Sequence, residues 1–345
     1  EVDPSRWHDG WKSEFSHKSE IVQPGYHRVF LDKYHTWVEQ TASDRVSFYR
    51  FRYTEDAEAN ILVNLGGYVS TSTMTGAQVN KKSDTEIEGS FNTVGRIWGG
   101  PEKIRIFFAL KLEKPMERFD SWKGEIKKTD VSSLEAEDVS SPRREKGMSY
   151  HDAPTAGVSA YYHVKRGDEL KVKIAISYTS IENAWENMES DYNHWDFEKI
   201  REEARDDWNQ SLGKIDVKGG TRDQRVKFYT DLWHTLLGRH KLNDYSGDYP
   251  DYTQGEKKGA HTDASLQVRK LPSGADGNPK FNMYNSDAFW LTQWNLNILW
   301  GLGWPHLLDD FSASLVQYAD NGKLLPRGPC AGGYSYIMTG CPATN

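Results

Sequence analysis

From Tyr26 to Ser180 apolar and polar residues alternate in short runs separated by turn residues: YHRVFL, TWVEQTA, RVSFYRFRY, ANILVNL, EIEGSF, TVGRIW, KIRIFFALKL, AYYHVKR and LKVKIAISYTS. A period of two over four to ten residues predicts β-strands with one face toward a core. Val46 and Phe48, interleaved with Tyr49, Phe51 and Tyr53, put apolar side chains on both faces of one strand, as expected where two sheets pack face to face. The pattern predicts an antiparallel β-sandwich of about nine or more strands, above the usual size of a single sheet. The charged segment 113–150, with SSLEAEDVSSPRREKG in its middle, reads as loops or a long hairpin excursion.

After Ser180 the period changes. IENAWENMES and HWDFEKIREEARDDWNQSLGKI are helical, the second with Phe197, Ile200, Ala204, Trp208 and Leu212 on one face. Gly219 and Gly220 break the pattern, Thr221 is placed to cap a helix, and Val226, Tyr229, Trp233 and Leu237 share an apolar face beyond it. Further helices are predicted from Asp287 to Trp300 and from Pro305 to Asp320, so the last region is expected to be all-α in its regular parts. The fold class is multidomain α and β: a sandwich over 1–184, a helical linker over 185–218 and a helical region over 219–345, where short-looped helices suggest a toroid of hairpins. A chain of 345 residues exceeds what one core usually organises, which fits two domains.

Charge excludes some functions. With 43 basic and 50 acidic residues well mixed and a net charge of −7, the chain offers no field for nucleic acid or anionic lipid. No apolar run reaches the roughly 20 residues of a membrane helix, and EVDPSRWHDG lacks the apolar core of a signal peptide. Cys330 and Cys341 stand in a Gly-rich segment without zinc spacing; buried thiols are the expectation and a disulfide the alternative. The histidines show no paired metal spacing, and the Gly219–Gly220 pair lacks a phosphate-cradle Lys.

Composition points instead to sugars. Thirteen Trp, eighteen Tyr and thirteen Phe make the chain aromatic-rich, and the run FNMYNSDAFWLTQWNLNILWGLGWP, from Phe281 to Pro305, interleaves four Trp with amides and Asp287. Indole faces stack on the C–H faces of pyranoses while Asn, Gln and Asp match hydroxyl groups. Core packing on a helix accounts for part of the same pattern. Candidate acids are Asp244, Asp248 and Asp251 in LNDYSGDYPDY, Asp287, and Glu182 and Glu186; spacing alone selects no pair of them.

SHKSEIVQPGYHRVFLDKY, IAISYTSIENAWENM, WNQSLGKIDVKGGTRDQRVKFYTDLWHTLL, NSDAFWLTQWNLNILW and NGKLLPRGP, in this order, resemble glycoside hydrolase family 92, a family of exo-acting, calcium-dependent α-mannosidases. The resemblance implies a β-sandwich joined by helices to an (α/α)6 barrel, with 219–345 its first part, and a site where the two domains meet. It implies a mannose-containing glycan as substrate, N-glycans among them, bound Ca2+, and a secreted, periplasmic or cell-surface location. It also implies that this chain is an internal portion of a larger enzyme, with the catalytic acid, base and main calcium ligands C-terminal to Asn345. No catalytic residue is therefore assigned here. The alternative is a non-catalytic glycan-binding or scaffold protein whose sandwich carries the function.

Several residues remain candidates for contact with substrate. Asp287 aligns with an acid in the family that hydrogen-bonds sugar hydroxyls, although its place after Ser286 also suits a helix dipole, and Ala288 stands where the family commonly has Thr. Trp290 follows within a turn. Arg327, between Pro326 and Pro329, offers a planar fork to hydroxyls or phosphate, or to helix carbonyls. Trp98 stands beside glycines in VGRIWGG, and Asn243 and Asp244 either approach the pocket or make an Asx-turn.

Overall fold

Alternation at period two organises the first part of the chain. The structure, a computed structural model, describes residues 8–66, 68–69, 72–94, 99–137, 155–285, 292 and 294–337. A short helix, α1 (His8–Trp11), precedes β1 (Ile21–Gln23), β2 (Tyr26–Leu31), β3 (Thr36–Ala42), β4 (Val46–Tyr53) and β5 (Ala57–Asn64). Then come β6 (Tyr68–Val69), β7 (Ser72–Lys81), β8 (Glu86–Val94), β9 (Gly100–Pro101) and β10 (Lys103–Leu112). The series closes with β11 (Arg118–Lys123), β12 (Ile126–Lys128), β13 (Ser133–Ala136), β14 (Ala156–Val164) and β15 (Glu169–Ser177). Two helices follow, α2 (Ile181–Asp191) and α3 (Phe197–Leu212).

The chain divides into two units, Glu1–Ile97 with Arg105–Ala204, and Trp98–Ile104 with Arg205–Asn345. In the first, among the described residues, a ten-stranded sheet in the order β1-β2-β3-β4-β15-β10-β8-β7-β13, with β6 on β7, faces a four-stranded antiparallel sheet β12-β11-β14-β5. Between them lies a dry core of Val79, Ile87, Leu110, Phe119, Val158, Val164 and Val172. The sandwich is thus the fold that the alternation predicts.

The second apolar face of β4 has a different cause from the expected one. Tyr49, Phe51 and Tyr53 turn toward the core between the sheets, whereas Val46 and Phe48 turn outward and are covered by Ala184 and Met188 of α2 and Phe197 and Ile200 of α3. The large sheet is therefore buried on both faces there, by a sheet on one and helices on the other. Helix α2 starts where Ser180 accepts from the backbone N–H of Asn183 at 3.0 Å, a cap worth about 1 kcal/mol.

Of the two readings of 113–150, loops or a long hairpin excursion, the described part supports the hairpin, since β11 and β12 pair antiparallel. The described part of that segment holds β11, β12 and β13, and Phe119, Trp122 and Leu134 are buried in it. Arg118, Asp120 and Lys123 hide the alternation, because charges on the solvent side dominate the composition. Strand β7 was also missed: STMTGAQVNK is rich in small and polar residues, yet Met74, Ala77 and Val79 carry its inward face.

The second unit is not all-α in its regular parts, which corrects a broad expectation. After α4 (Arg222–Thr235) come β16 (His240–Lys241), β17 (Asp248–Asp251), β18 (Glu256–Lys258), β19 (His261–Asp263), β20 (Gln267–Lys270) and β21 (Tyr284–Asn285). Helices α5 (Leu296–Gly303) and α6 (Pro305–Gly322) and the pair β22 (Pro329–Cys330) and β23 (Gly333–Tyr334) complete it. Strands of two to four residues show too little alternation to be read from sequence.

Helix α4 opens with the predicted Thr221 cap, as a full capping box with Gln224. Its buried residue Leu232, with half-buried Tyr229 and the capping Leu236, packs with Trp300, Trp304 and Phe311, while Val226 and Leu237 are exposed. Helix α6 matches the prediction, with Pro305 in its first turn and Lys323 closing it at φ 62°. The helix predicted from Asp287 to Trp300 is regular only from Leu296; 286–291 and 293 lie outside the described residues.

Candidate functional site

Three segments that flank the sequence candidates gather at one hairpin turn in the second unit. Cys330 pairs with Gly333, leaving a two-residue turn in which Ala331 and Gly332 have φ of 49° and 86°. Two left-handed residues are what a tight hairpin needs. Tyr252 donates its N–H to the carbonyl of Gly332 at 2.9 Å, and a Cβ on Gly332 would stand 2.5 Å from the carbonyl oxygen of Pro250. Alanine at 331 tolerates the geometry at some cost, and glycine at 332 is required by both conformation and space.

The first segment to reach the turn is β9, which pairs in parallel with β19 through His261↔Gly100 and Thr262↔Pro101. Gly100, at φ 83°, lies so near Cys330 that a Cβ would be 2.8 Å from the cysteine Cβ. The glycines after Trp98 thus serve close backbone approach. The second segment is β21, whose Asn285 accepts the N–H of Ala331 through Oδ1 at 3.2 Å and donates Nδ2 to the carbonyl of His240 at 3.2 Å. The third is the stretch after Arg327, with the N–H of Ser335 on the carbonyl of Gly328 at 2.9 Å.

Trp98, Asp287 and Trp290 lie outside the described residues, and so does Cys341; their neighbours Gly100 and Asn285 both reach the Ala331–Gly332 turn. Arg327 is exposed at the approach to that turn. Asn243 and Asp244 are buried and belong to the frame around β21. Asn243 accepts the N–H of Met283 at 2.8 Å and donates to the carbonyl of Asp244 at 3.1 Å, while the backbone of Asp244 closes a turn with Asp248 and Gly247.

Of the remaining acids, Asp251 and Asp248 have structural partners. Asp251 is buried and accepts from Arg269 Nε at 2.5 Å and from Thr253 through both N–H and hydroxyl, at 2.9 and 2.7 Å. That leaves little room for a proton-transfer role. Asp248 lies 3.6 Å from Lys270 Nζ. Glu182 and Glu186 are exposed on α2. The phenols near the turn are held neutral: burial pushes Tyr334 up to about 12 and Tyr318 well above its ordinary value. Tyr334 pins the turn to α6 with one hydroxyl proton placed between two acceptors, the carbonyls of Tyr318 at 2.9 Å and Leu324 at 2.7 Å.

Sequence reasoning missed the polar side chains that hold the aromatic and amide run. On its near side Asn282 reaches Asp310 Oδ2 through N–H at 3.2 Å and Nδ2 at 3.1 Å, and Tyr284 N–H reaches Ser314 Oγ at 2.9 Å. On its far side Arg239, buried and at φ 58°, donates Nη2 to Asn297 Oδ1 at 3.1 Å and to Thr292 Oγ1 at 3.4 Å. Its guanidinium lies 4.2 Å from the Phe311 ring centre and 4.8 Å from that of Trp300. The available signal was an Arg beside Gly238, just beyond the end of α4 at Thr235. Of the four tryptophans, Trp300 and Trp304 are core residues and Trp294 is exposed.

Among the described residues no three His, Cys, Asp or Glu side chains gather in a way that could hold a metal ion. In the sandwich, an open groove of about 250 Å³ is lined by Gln78, Ser90, Arg105 and Glu135 among others. Arg105 there is already tied to Ser90 at 2.9 Å and Gln78 at 3.3 Å. Among the described residues no helix is long and apolar enough to cross a membrane.

Comparison with known proteins gives a consistent outcome. Residues 1–177 match the glycosyl hydrolase family 92 N-terminal domain and residues 183–345 match the glycosyl hydrolase family 92 catalytic domain. A family GH92 α-mannosidase from Bacteroides thetaiotaomicron superposes with a TM-score of 0.81 at 20% identity, over 99% of this chain and 42% of that one. A family GH92 inverting mannosidase from Bacteroides thetaiotaomicron VPI-5482 gives 0.76 at 18% identity, over 96% and 39%. An uncharacterized secreted glycosidase of Arthroderma benhamiae is 30% identical over 86 residues, 24% of this chain and 11% of that protein. The chain spans about two fifths of the length of these solved structures.

Proposed function

The chain belongs to glycosyl hydrolase family 92, and on that premise we propose that it is part of an exo-acting α-mannosidase that releases mannose from glycans with inversion. The observation that carries the reading is the pair of family domains, matched in order over nearly the whole chain. In this proposal the second unit supplies one wall of a mannose pocket. Asp287, Trp290, Trp98 and Arg327 are assigned to that wall by the family resemblance, because the described residues next to them in sequence lead to the hairpin with its turn at Ala331 and Gly332, with Asn243 and Asp244 in the supporting frame.

Inversion needs an acid on the leaving oxygen and a base on a water at the opposite face, with carboxyls about 6.5–9.5 Å apart. The proposal places both C-terminal to Asn345, along with the further helices of an (α/α)6 barrel. The exposed apolar pair Ile298 and Leu302, which a spacing of four puts on one side of α5, supports such a continuation, with exposed Trp294 just before the helix. Calcium, when bound, would grip vicinal hydroxyls through oxygen ligands. The described residues do not by themselves form a cage for it, and its ligands are assigned outside them. A secreted, periplasmic or cell-surface location goes with the same reading.

The test is hydrolysis of an aryl α-mannoside by the native protein, with the anomer released followed by proton NMR. β-Mannose as the first product is expected; α-mannose as the first product removes inversion, and no turnover of any α-mannoside removes the mannosidase reading. The 345-residue polypeptide alone is expected to give no turnover, and turnover by it would place acid and base within this chain.

A further inference from the structure

The outer face of the large sheet carries a hollow that its register creates. Ala77 and Val79 of β7 and Ile87 of β8 turn into the core between the sheets, so alternation turns Gly76, Gln78, Ser90 and Asn92 the other way. Glu135 stands opposite Gln78 in the β13–β7 ladder and Gln78 opposite Ser90 in the β7–β8 ladder, a polar row across three strands. Beside that row Gly76 stands opposite Asn92 and offers no side chain. The ladder also slips between Met74 and Gly76, a bulge of the kind that bends a strand locally. These features frame the groove of about 250 Å³, just under the roughly 300 Å³ at which drug-sized ligand sites begin, and so room for a single ring.

Arg105 of β10 is fixed at one side of the groove. Its guanidinium lies 5.2 Å from the Phe107 ring centre, donates Nε at 3.2 Å and Nη2 at 2.9 Å to Ser90 Oγ, and donates Nη2 at 3.3 Å to Gln78 Oε1. Ser90, only 2% exposed, is the buried support of that arrangement. By contrast, the side chains of Asn92, Glu135 and Glu137, which also line the groove, make no hydrogen bond or ion pair among the described residues. Uncommitted polar groups on a sheet face are ordinary when scattered. Around one hollow, beside an arginine already held in place, they combine amide and guanidinium donors with carboxylates that accept from adjacent hydroxyls.

Charge narrows the ligand further. Arg105 against Glu135 and Glu137 leaves the groove net negative, which disfavours phosphate, sulfate and carboxylate, while Arg105 disfavours a cation. We infer that this groove binds one neutral sugar ring of a glycan chain through its hydroxyls, so that the sandwich holds polysaccharide by a site built from its own strands. The inference goes beyond the mannosidase reading and does not need it, because it rests on the chemistry of the groove.

Its test is affinity electrophoresis of the native protein in gels containing soluble mannan, galactomannan or xylan, with polygalacturonate as the anionic comparison. The Kd obtained from retardation by at least one neutral polysaccharide is expected to rise about tenfold in Arg105→Ala, which loses a charged donor, and about fivefold in Asn92→Ala, which loses an amide. Denaturant midpoints check the fold of each variant; where Arg105→Ala lowers its midpoint, Asn92→Ala decides, since its side chain holds no other described residue. Absence of retardation of the wild type by all the neutral polysaccharides overturns the proposal, as does wild-type retardation of either folded variant. An effect of the substitutions confined to polygalacturonate overturns it too, by making the groove an anion site. Hydrolysis of an aryl α-mannoside is a separate readout: its failure removes the mannosidase reading and leaves the retardation standing, whereas retardation that ignores the substitutions removes this site and leaves turnover standing.

Discussion

The sandwich and the second unit spend their polar groups differently. In the sandwich, long ladders satisfy the backbone, and a buried ion pair is formed where Glu39 meets Arg50 at 2.8 and 2.9 Å and accepts from Tyr26 at 2.6 Å. In the second unit the strands are two to four residues long, and side chains such as Asn243, Asn285, Ser314 and Arg239 do the joining. Non-glycine residues with left-handed backbone stand at its joints, Arg239, Lys323 and Ala331, as His35 and Asp130 do in turns of the first unit. A ladder holds regardless of sequence detail, whereas a joint made of single side chains is exact in geometry and local in its failure. Sites are built from such joints because they aim individual groups.

Three substitutions probe that contrast, beginning with the largest effect. Phe119→Ala empties a fully buried position between the sheets and is expected to cost about 3–5 kcal/mol, read as a lower denaturant midpoint at unchanged slope. A cost below about 1 kcal/mol would mean that the sandwich core repacks freely.

Glu39→Gln weakens one partner of buried Arg50 while Glu198, 2.7 Å away, remains, and is expected to cost less than the about 3–5 kcal/mol of breaking a buried pair outright. The same pair sets an acid limit. Burial raises the Glu39 carboxyl, but hydrogen bonds from Arg50 and Tyr26 outweigh it and hold the group below its ordinary value of 4.5. A folded-state value below the unfolded one adds stability that is fully present above pH 4.5 and lost as pH falls through the folded value. The wild type should lose stability below pH 4.5, and Glu39→Gln should show a shallower loss over that window. Equal acid slopes in the two proteins would show that other carboxylates set the limit.

Gly332→Ala has the smallest effect and the most local. With φ at 86° and the Pro250 carbonyl 2.5 Å from the new Cβ, it is expected to cost about 1–3 kcal/mol. Faster exchange should be confined to 329–334 and the N–H of Tyr252. If exchange rises equally in the sandwich strands, the two regions do not fail separately and the contrast is lost.

How much was legible depended on element length. Strands β2, β3, β4, β10 and β15 carry enough alternation to be read directly, and α6 carries a proline start and a helical stripe. β7 and β11 were lost because small residues and charges blur a two-residue period, and the ladders of the second unit are too short to have a period at all. For the candidate site, the chemistry of Asp287, Trp290, Trp98 and Arg327 was legible as residue type and family resemblance. Arg239 and Asn285 were not, since nothing near them in sequence shows that they reach across 58 and 46 positions, to Asn297 and Ala331.

By itself the sequence determined the sandwich, the helices of adequate length, the even mix of charges and the family. All of these depend on local periodicity, summed charge or ordered motifs, which are properties of neighbours along the chain. Only the tertiary structure decided that both faces of β4 are buried for different reasons, that the second unit is threaded with short strands, and that Asn285, Gly100 and the Ala331–Gly332 turn meet. Those facts depend on which distant backbones close on each other. That is settled by packing and by the need of each buried amide for a partner, and neither leaves a periodic trace in the sequence.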